Sequence, residues 1–176
     1  VNQEVTQPDP TNTSPINFTV VFSEPVTGFT SADVVPSGTA APTTAIVTSG
    51  SGTTYNVTVS GMAADGTVIL TVPAGGAQDV TGNSNAASTS TDNIVTYDTT
   101  RPTVTINQAA AQPDPTNVSP INFTVVFSEP VTGFTDTDIT LTGTAGPTTA
   151  VVTGSGTTYN VAVSGMTGSG TVTAFV

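Results

Sequence analysis

The sequence predicts an all-β protein made of two tandem antiparallel β-sandwiches of about seven strands each, the second lacking its last strand. Three observations carry this. The composition favours strands over helices, apolar residues alternate with polar ones over short runs, and the chain repeats itself at a period the size of one sandwich domain.

Composition comes first. Among 176 residues there is one basic residue, Arg101, against twelve acidic ones, and no Cys, His or Trp. Thr, Val, Ser, Gly, Ala and Pro dominate; Thr and Val suit a pleated, half-buried surface, and the strong helix formers are scarce. The repeat comes next. Gln7–Asn12 returns as Gln112–Asn117, Ser14–Thr30 returns unchanged as Ser119–Thr135, and Gly50–Val57 returns as Gly154–Val161. The period of about 105 residues is too long for a solenoid or propeller unit and fits one duplicated sandwich.

Within one period the expected strands follow in order. The first lies near 3–7. The second, 16–22, puts Ile16, Phe18, Val20 and Phe22 on one face. Short strands at 33–36 and 43–48 precede 54–60, where Tyr55, Val57 and Val59 alternate with Asn56, Thr58 and Ser60. Strand 67–72 presents Val68, Leu70 and Val72, and 92–97 presents Val95 and Tyr97. Such period-two patterning marks antiparallel sheets with one face to water. Clusters rich in Gly, Pro, Asn and Asp separate the runs. The expected domains are therefore 1–97 and 103–176, joined by a linker at 98–102, with the second domain opening on a strand at 103–107. The second repeat stops at the counterpart of Val72, so its last strand is expected either from a continuing parent chain or from a neighbouring molecule by strand exchange.

A formal charge of −11 opposes nucleic acid, whose phosphates need Lys and Arg, and opposes an anionic membrane surface. No apolar run is long enough to span a bilayer in this segment. Without His or Cys, the Ser-His-Asp, Cys-His and histidine–metal arrangements are excluded. No enzyme is expected.

Cations remain. Calcium takes six to eight oxygen ligands, which carboxylates and turn carbonyls supply. Because chain direction reverses at every strand, alternate turns share a pole. Asp9, Asp65 and Asp98 then fall at the exit pole of the first domain, and Glu129, Asp136 and Asp138 at the facing pole of the second. These six are the expected calcium ligands of the junction, with Asp33 and Asp79 at the equivalent opening pole of the first domain. The same residues also suit turn chemistry: Asp9 within PDPTN as an Asx-turn, Asp65-Gly66 as a tight turn, and Glu24-Pro25 and Glu129-Pro130 as strand-end caps.

The strings NFTVVFSEPVTGFTSADV (17–34), GTTYNVTVSG (52–61), AGGAQDVTGNSNAAS (74–88) and YDTTRPTVTI (97–106) resemble the bacterial immunoglobulin-like repeats of large surface adhesins and extracellular repeat proteins. The resemblance implies immunoglobulin-like sandwiches in tandem arrays, export to the bacterial cell surface, calcium at domain junctions in many members, and no catalysis. One departure is Arg101, at a linker position that is usually alanine; a guanidinium there competes with a metal ion for junction carboxylates. The expected role is a structural spacer, stalk or fibre module whose partners are neighbouring repeats of its own chain. The alternatives are an adhesive glycan- or protein-binding module using the long loop Pro73–Ser88, and a self-assembling extracellular filament built from identical chains.

Overall fold

In the computed structural model, which describes residues 1–176, the alternating runs become antiparallel strands. The first unit, Val1–Thr100, contains β1 (Asn2–Gln3), β2 (Ile16–Val26), β3 (Val35–Ser37), β4 (Thr44–Ser60), β5 (Gly66–Thr71) and β6 (Ile94–Tyr97). One sheet runs β1-β2-β4 and the other β3-β5-β6. β4 folds back on itself: Thr43 N donates to Ser60 O at 3.2 Å and Thr48 Oγ1 to Asn56 O at 3.2 Å. The two strands expected at 43–48 and 54–60 are thus the arms of one continuous hairpin. Gly50 allows the reversal at φ 126°, where a Cβ would run into the backbone of Thr54 and Tyr55.

The register puts apolar residues opposite one another. Ile16 faces Val59, Phe18 faces Val57 and Val20 faces Tyr55, while Val68 faces Val95 across β5 and β6. All eight are buried, and Ile16, Phe18, Val57, Val59, Val68 and Val95 have no exposed surface. Each such side chain contributes roughly 1.5–3 kcal/mol relative to exposure. Phe22, Phe29 and Tyr55 form a closed set of edge-to-face contacts with ring centroids 5.0–5.9 Å apart. The Tyr55 hydroxyl donates to Val26 O at 3.1 Å, tying β4 to the far end of β2.

The second unit, Arg101–Val176, repeats the plan with β7 (Val104–Gln108), β8 (Ile121–Val131), β9 (Thr140–Thr142), β10 (Thr149–Ser164) and β11 (Thr173–Phe175). Its sheets are β7-β8-β10 and β9-β11. The aromatic set returns as Phe127, Phe134 and Tyr159, and Tyr159 donates to Val131 O at 2.9 Å. In the first unit β6 covers the core beside β5. No strand of this chain does so beside β11, and Ile121, Phe123 and Val172 are only half-buried where Ile16, Phe18 and Val68 are fully enclosed. A cavity of about 230 Å³ lined by Ile121, Phe123 and Val172 opens there.

Three differences from the expected elements have physical causes. β1 is two residues rather than five, because the side chain of Gln7 takes over the pairing: its Oε1 accepts from Asn17 N at 2.9 Å. β2 runs on through Glu24-Pro25, where a turn was expected, because a register shift between Val21 and Val26 forms a bulge. Proline fits a bulge, where no ladder bond needs its missing N–H. Residues 31–33 and 136–138, the former partly expected as strand, form single 3₁₀ turns, each closed by a capping box. No helix is long and apolar enough to cross a membrane.

Candidate functional site

At the exit pole of the first unit, three of the expected ligands accept hydrogen bonds from one stretch of chain, β6 and the path out of it. Asp9 Oδ1 accepts from Thr96 N at 2.9 Å. Thr11 then brackets Tyr97: its N–H donates to Thr96 O and its carbonyl accepts from Asp98 N, both at 2.9 Å. Asp98 Oδ1 accepts from Thr100 N at 3.0 Å. Asp65 does most. Its Oδ1 accepts from Thr99 N at 2.8 Å and Thr99 Oγ1 at 2.7 Å, and its Oδ2 from Thr100 Oγ1 at 2.5 Å. The hydroxyls of Thr100 and Thr99 stabilise the ionised carboxylate, which pushes its pKa down from 3.8 to about 2.

The opposite pole of the unit uses its acids in the same way. Asp33 Oδ2 accepts from Thr30 N and Thr30 Oγ1, both at 2.8 Å, and closes the 3₁₀ turn. Asp79 gathers the tip of the long loop, accepting from Asn83 Nδ2, Asn83 N and Thr81 N at 2.8 Å and from Thr81 Oγ1 at 2.9 Å. The Asn83 bonds come first among the causes that lower its pKa from 3.8 to about 2. The loop is also fastened at its root. Thr27 and Gln78 exchange backbone bonds at 2.7 and 3.0 Å; Asn85 Oδ1 accepts from Ala77 N at 2.8 Å, and Asn85 Nδ2 donates to Pro73 O at 2.9 Å.

A cavity of about 370 Å³ lies between this loop and the bulged end of β2, lined by Val1, Val21, Phe22, Ser23 and Glu24 among others. The second unit explains its shape. There Val104 and Thr105 pair with Phe127 and Val126, and Thr103 exchanges bonds with Ser128 at 2.9 Å. These partners correspond to Phe22, Val21 and Ser23. The cavity therefore has the form of a seat for an extended segment.

In the second unit Asp138 Oδ2 accepts from Thr135 N at 2.8 Å and repeats the Asp33 cap. Asp136 sits exposed in the first turn of the 3₁₀ segment. Glu129 differs: its Oε1 is buried without a hydrogen-bond partner. Neither unit gathers three acids around one point. Of the expected ligands, only Asp65 and Asp79 have both carboxylate oxygens engaged. Asp9, Asp33, Asp98 and Asp138 each bond through one oxygen and keep the other able to accept, and the side chains of Glu129 and Asp136 accept no hydrogen bond. The residues missed in the sequence are their partners and equivalents, namely Gln7, Asn85, Thr99 and Thr100. A signal existed for Gln7, whose QPDPTN string recurs; Gln112 repeats its bond, accepting from Asn122 N at 2.9 Å.

Comparison with known proteins adds one finding. The family description "Bacterial Ig-like domain" matches residues 2–96. No curated protein and no solved structure gave a significant match.

Proposed function

Because the chain belongs to the bacterial Ig-like domain family, we propose that it is a spacer or stalk segment of a long bacterial surface or secreted protein, carrying distance and load rather than chemistry. One observation carries the reading: the same module is built twice. Ile16–Val26 and Ile121–Val131 are the same eleven residues in the same strand. Each is closed by the same aromatic set and tyrosine bond. A specialised binding face calls for divergence between copies, whereas extension calls for repetition. The long loop that would serve as a paratope on a rigid sandwich is held by its own Asp79 and Asn85 bonds.

Small-angle scattering on the whole chain tests the spacer. The expected result is a narrow distribution of distances between the two units at all salt concentrations; a broad distribution characteristic of freely tumbling units refutes it. Glycan-array or host-cell binding by the same chain would replace this reading with the adhesive one.

Calcium as a stiffener belongs to the same proposal. It is supported by the formal charge of −11 and the partnerless Glu129 oxygen, together with Asp136 and the free second oxygens of Asp9, Asp98 and Asp138. An ion bound only to the folded chain adds about 2.7 kcal/mol at a hundredfold excess over its Kd. A melting temperature that stays constant between millimolar calcium and chelator removes calcium from the reading.

A further inference from the structure

The linker is fastened to its own unit on each side. Residues 96–100 belong to the first unit through Asp9, Thr11 and above all Asp65, which takes one backbone and two hydroxyl bonds from Thr99 and Thr100. From Thr103 onward the chain belongs to the second unit, through the Ser128 exchange and the β7 ladder. Arg101 and Pro102 lie between, exposed and outside both sets of bonds. Proline fixes its own φ near −65° and keeps the preceding residue out of the α region. What remains rotatable is the ψ of Thr100, the restricted pair of Arg101 and the ψ of Pro102.

We propose that Asp65 is a positioning residue for the linker, a latch that shortens the flexible joint to Arg101–Pro102 and so sets how stiffly one repeat hands the chain to the next. The proposal rests on the spacer reading above and assigns the stiffness to one side chain. The second repeat supplies a natural contrast. Met62-Ala63-Ala64-Asp65-Gly66 corresponds to Met166-Thr167-Gly168-Ser169-Gly170, so Ser169 stands in the latch position. A serine hydroxyl cannot hold two donors on one oxygen and a third on another, as a carboxylate does. The latch is thus specific to the repeat that carries aspartate, and joints built on the two turns differ in stiffness.

The test is amide-nitrogen relaxation on the whole chain, without calcium, comparing wild type with Asp65→Ala and Asp65→Asn. In the wild type the Thr99 amide has the order parameter of a strand, about 0.85, and the first drop falls at Arg101. In Asp65→Ala the Thr99 order parameter falls below about 0.6 while the β5 and β6 amides keep theirs, which separates a lost latch from an unfolded unit. Asp65→Asn, which keeps the Oδ1 acceptor, restores order at Thr99. Three results overturn the proposal: wild-type Thr99 as mobile as Arg101, no change at Thr99 in Asp65→Ala, or order at Thr99 that appears only when calcium is added. None of these depends on whether the chain binds a glycan or a protein, the result that would replace the spacer reading, so the two readings fail separately.

Discussion

Replacing Tyr55 by phenylalanine isolates one bond that the fold uses twice. The ring stays in its edge-to-face set with Phe22 and Phe29, and only the hydroxyl that donates to Val26 O at 3.1 Å is lost. Tyr55 is 8% exposed, so water does not readily replace the donor, and the carbonyl at the bulged end of β2 is left unsatisfied. Losing a buried hydrogen bond with one partner remaining costs about 1–2 kcal/mol. For a domain of roughly 100 residues the unfolding entropy converts that to a fall in Tm of roughly 5–10 °C. Scanning calorimetry on the whole chain resolves it, because the effect belongs to the first unit alone. Tyr159→Phe, which removes the matching 2.9 Å bond to Val131 O, lowers the transition of the second unit and leaves the first in place. A change below about 0.5 kcal/mol in both variants refutes the reasoning, since it would mean that the hydroxyl is already exchanged with water in the folded state. Truncation to Tyr55→Leu is the upper control: it also removes two ring contacts, each worth about 0.5–1.5 kcal/mol beyond the area buried.

Gly38→Ala is expected to destabilise the first unit by more than 2 kcal/mol, because its φ of 117° is strained for alanine and the added Cβ would overlap the Thr67 carbonyl. Gly52→Ala, with φ 66° and nothing within 4 Å of the added carbon, costs only about 1 kcal/mol; equal losses in urea denaturation would contradict the geometry. Asp65 and Asp79 have folded pKa values lowered from 3.8 to about 2. Their contribution is therefore fully present above about pH 4 and is lost as pH falls through about 2. Protection of the Thr99 and Asn83 amides, taken relative to their intrinsic exchange rates, should fall across that window, and a fall beginning near pH 6 would assign it to other groups. A peptide with the sequence of residues 88–98 should bind the whole chain on the free edge of β11, with chemical-shift changes at Gly170–Thr173, the counterparts of the β5 residues that β6 pairs with. The same peptide carrying Val95→Asp should not bind, and equal binding of both peptides would refute strand pairing.

The fold was legible where a side chain's fate depends on its immediate neighbours in sequence. Ile16, Phe18 and Val20, or Tyr55, Val57 and Val59, declare an inward face because strand geometry has a period of two. The candidate site was legible only in position. Strand parity brought Asp9, Asp65 and Asp98 to the pole from which the linker leaves, and the structure has all three bonded along that path. What Asp9 and Asp65 hold there was hidden, because the donors lie far away in sequence: Thr96 is 87 residues from Asp9, and Thr99 is 34 from Asp65. Asp9 and Asp65 act as long-range clasps, whereas Asp98 bonds within its own turn, at Thr100 N. The bulge at Glu24-Pro25 was hidden for a related reason, since a proline that reads as a turn is equally at home where a ladder skips a residue.

The two exposed joint residues also bear on how the segment resists proteolysis. Exposed connections between folded units are where proteases cut first, and enzymes of the trypsin type need Lys or Arg before the bond they cleave. This chain offers one such residue, Arg101, and it stands in the joint itself. Pro102 follows it, with no N–H and a locked φ, and trypsin-type enzymes do not accept proline after the basic residue. The segment therefore presents no tryptic site, folded or unfolded. The proline that stiffens the joint also shields the one residue at which such an enzyme would otherwise cut.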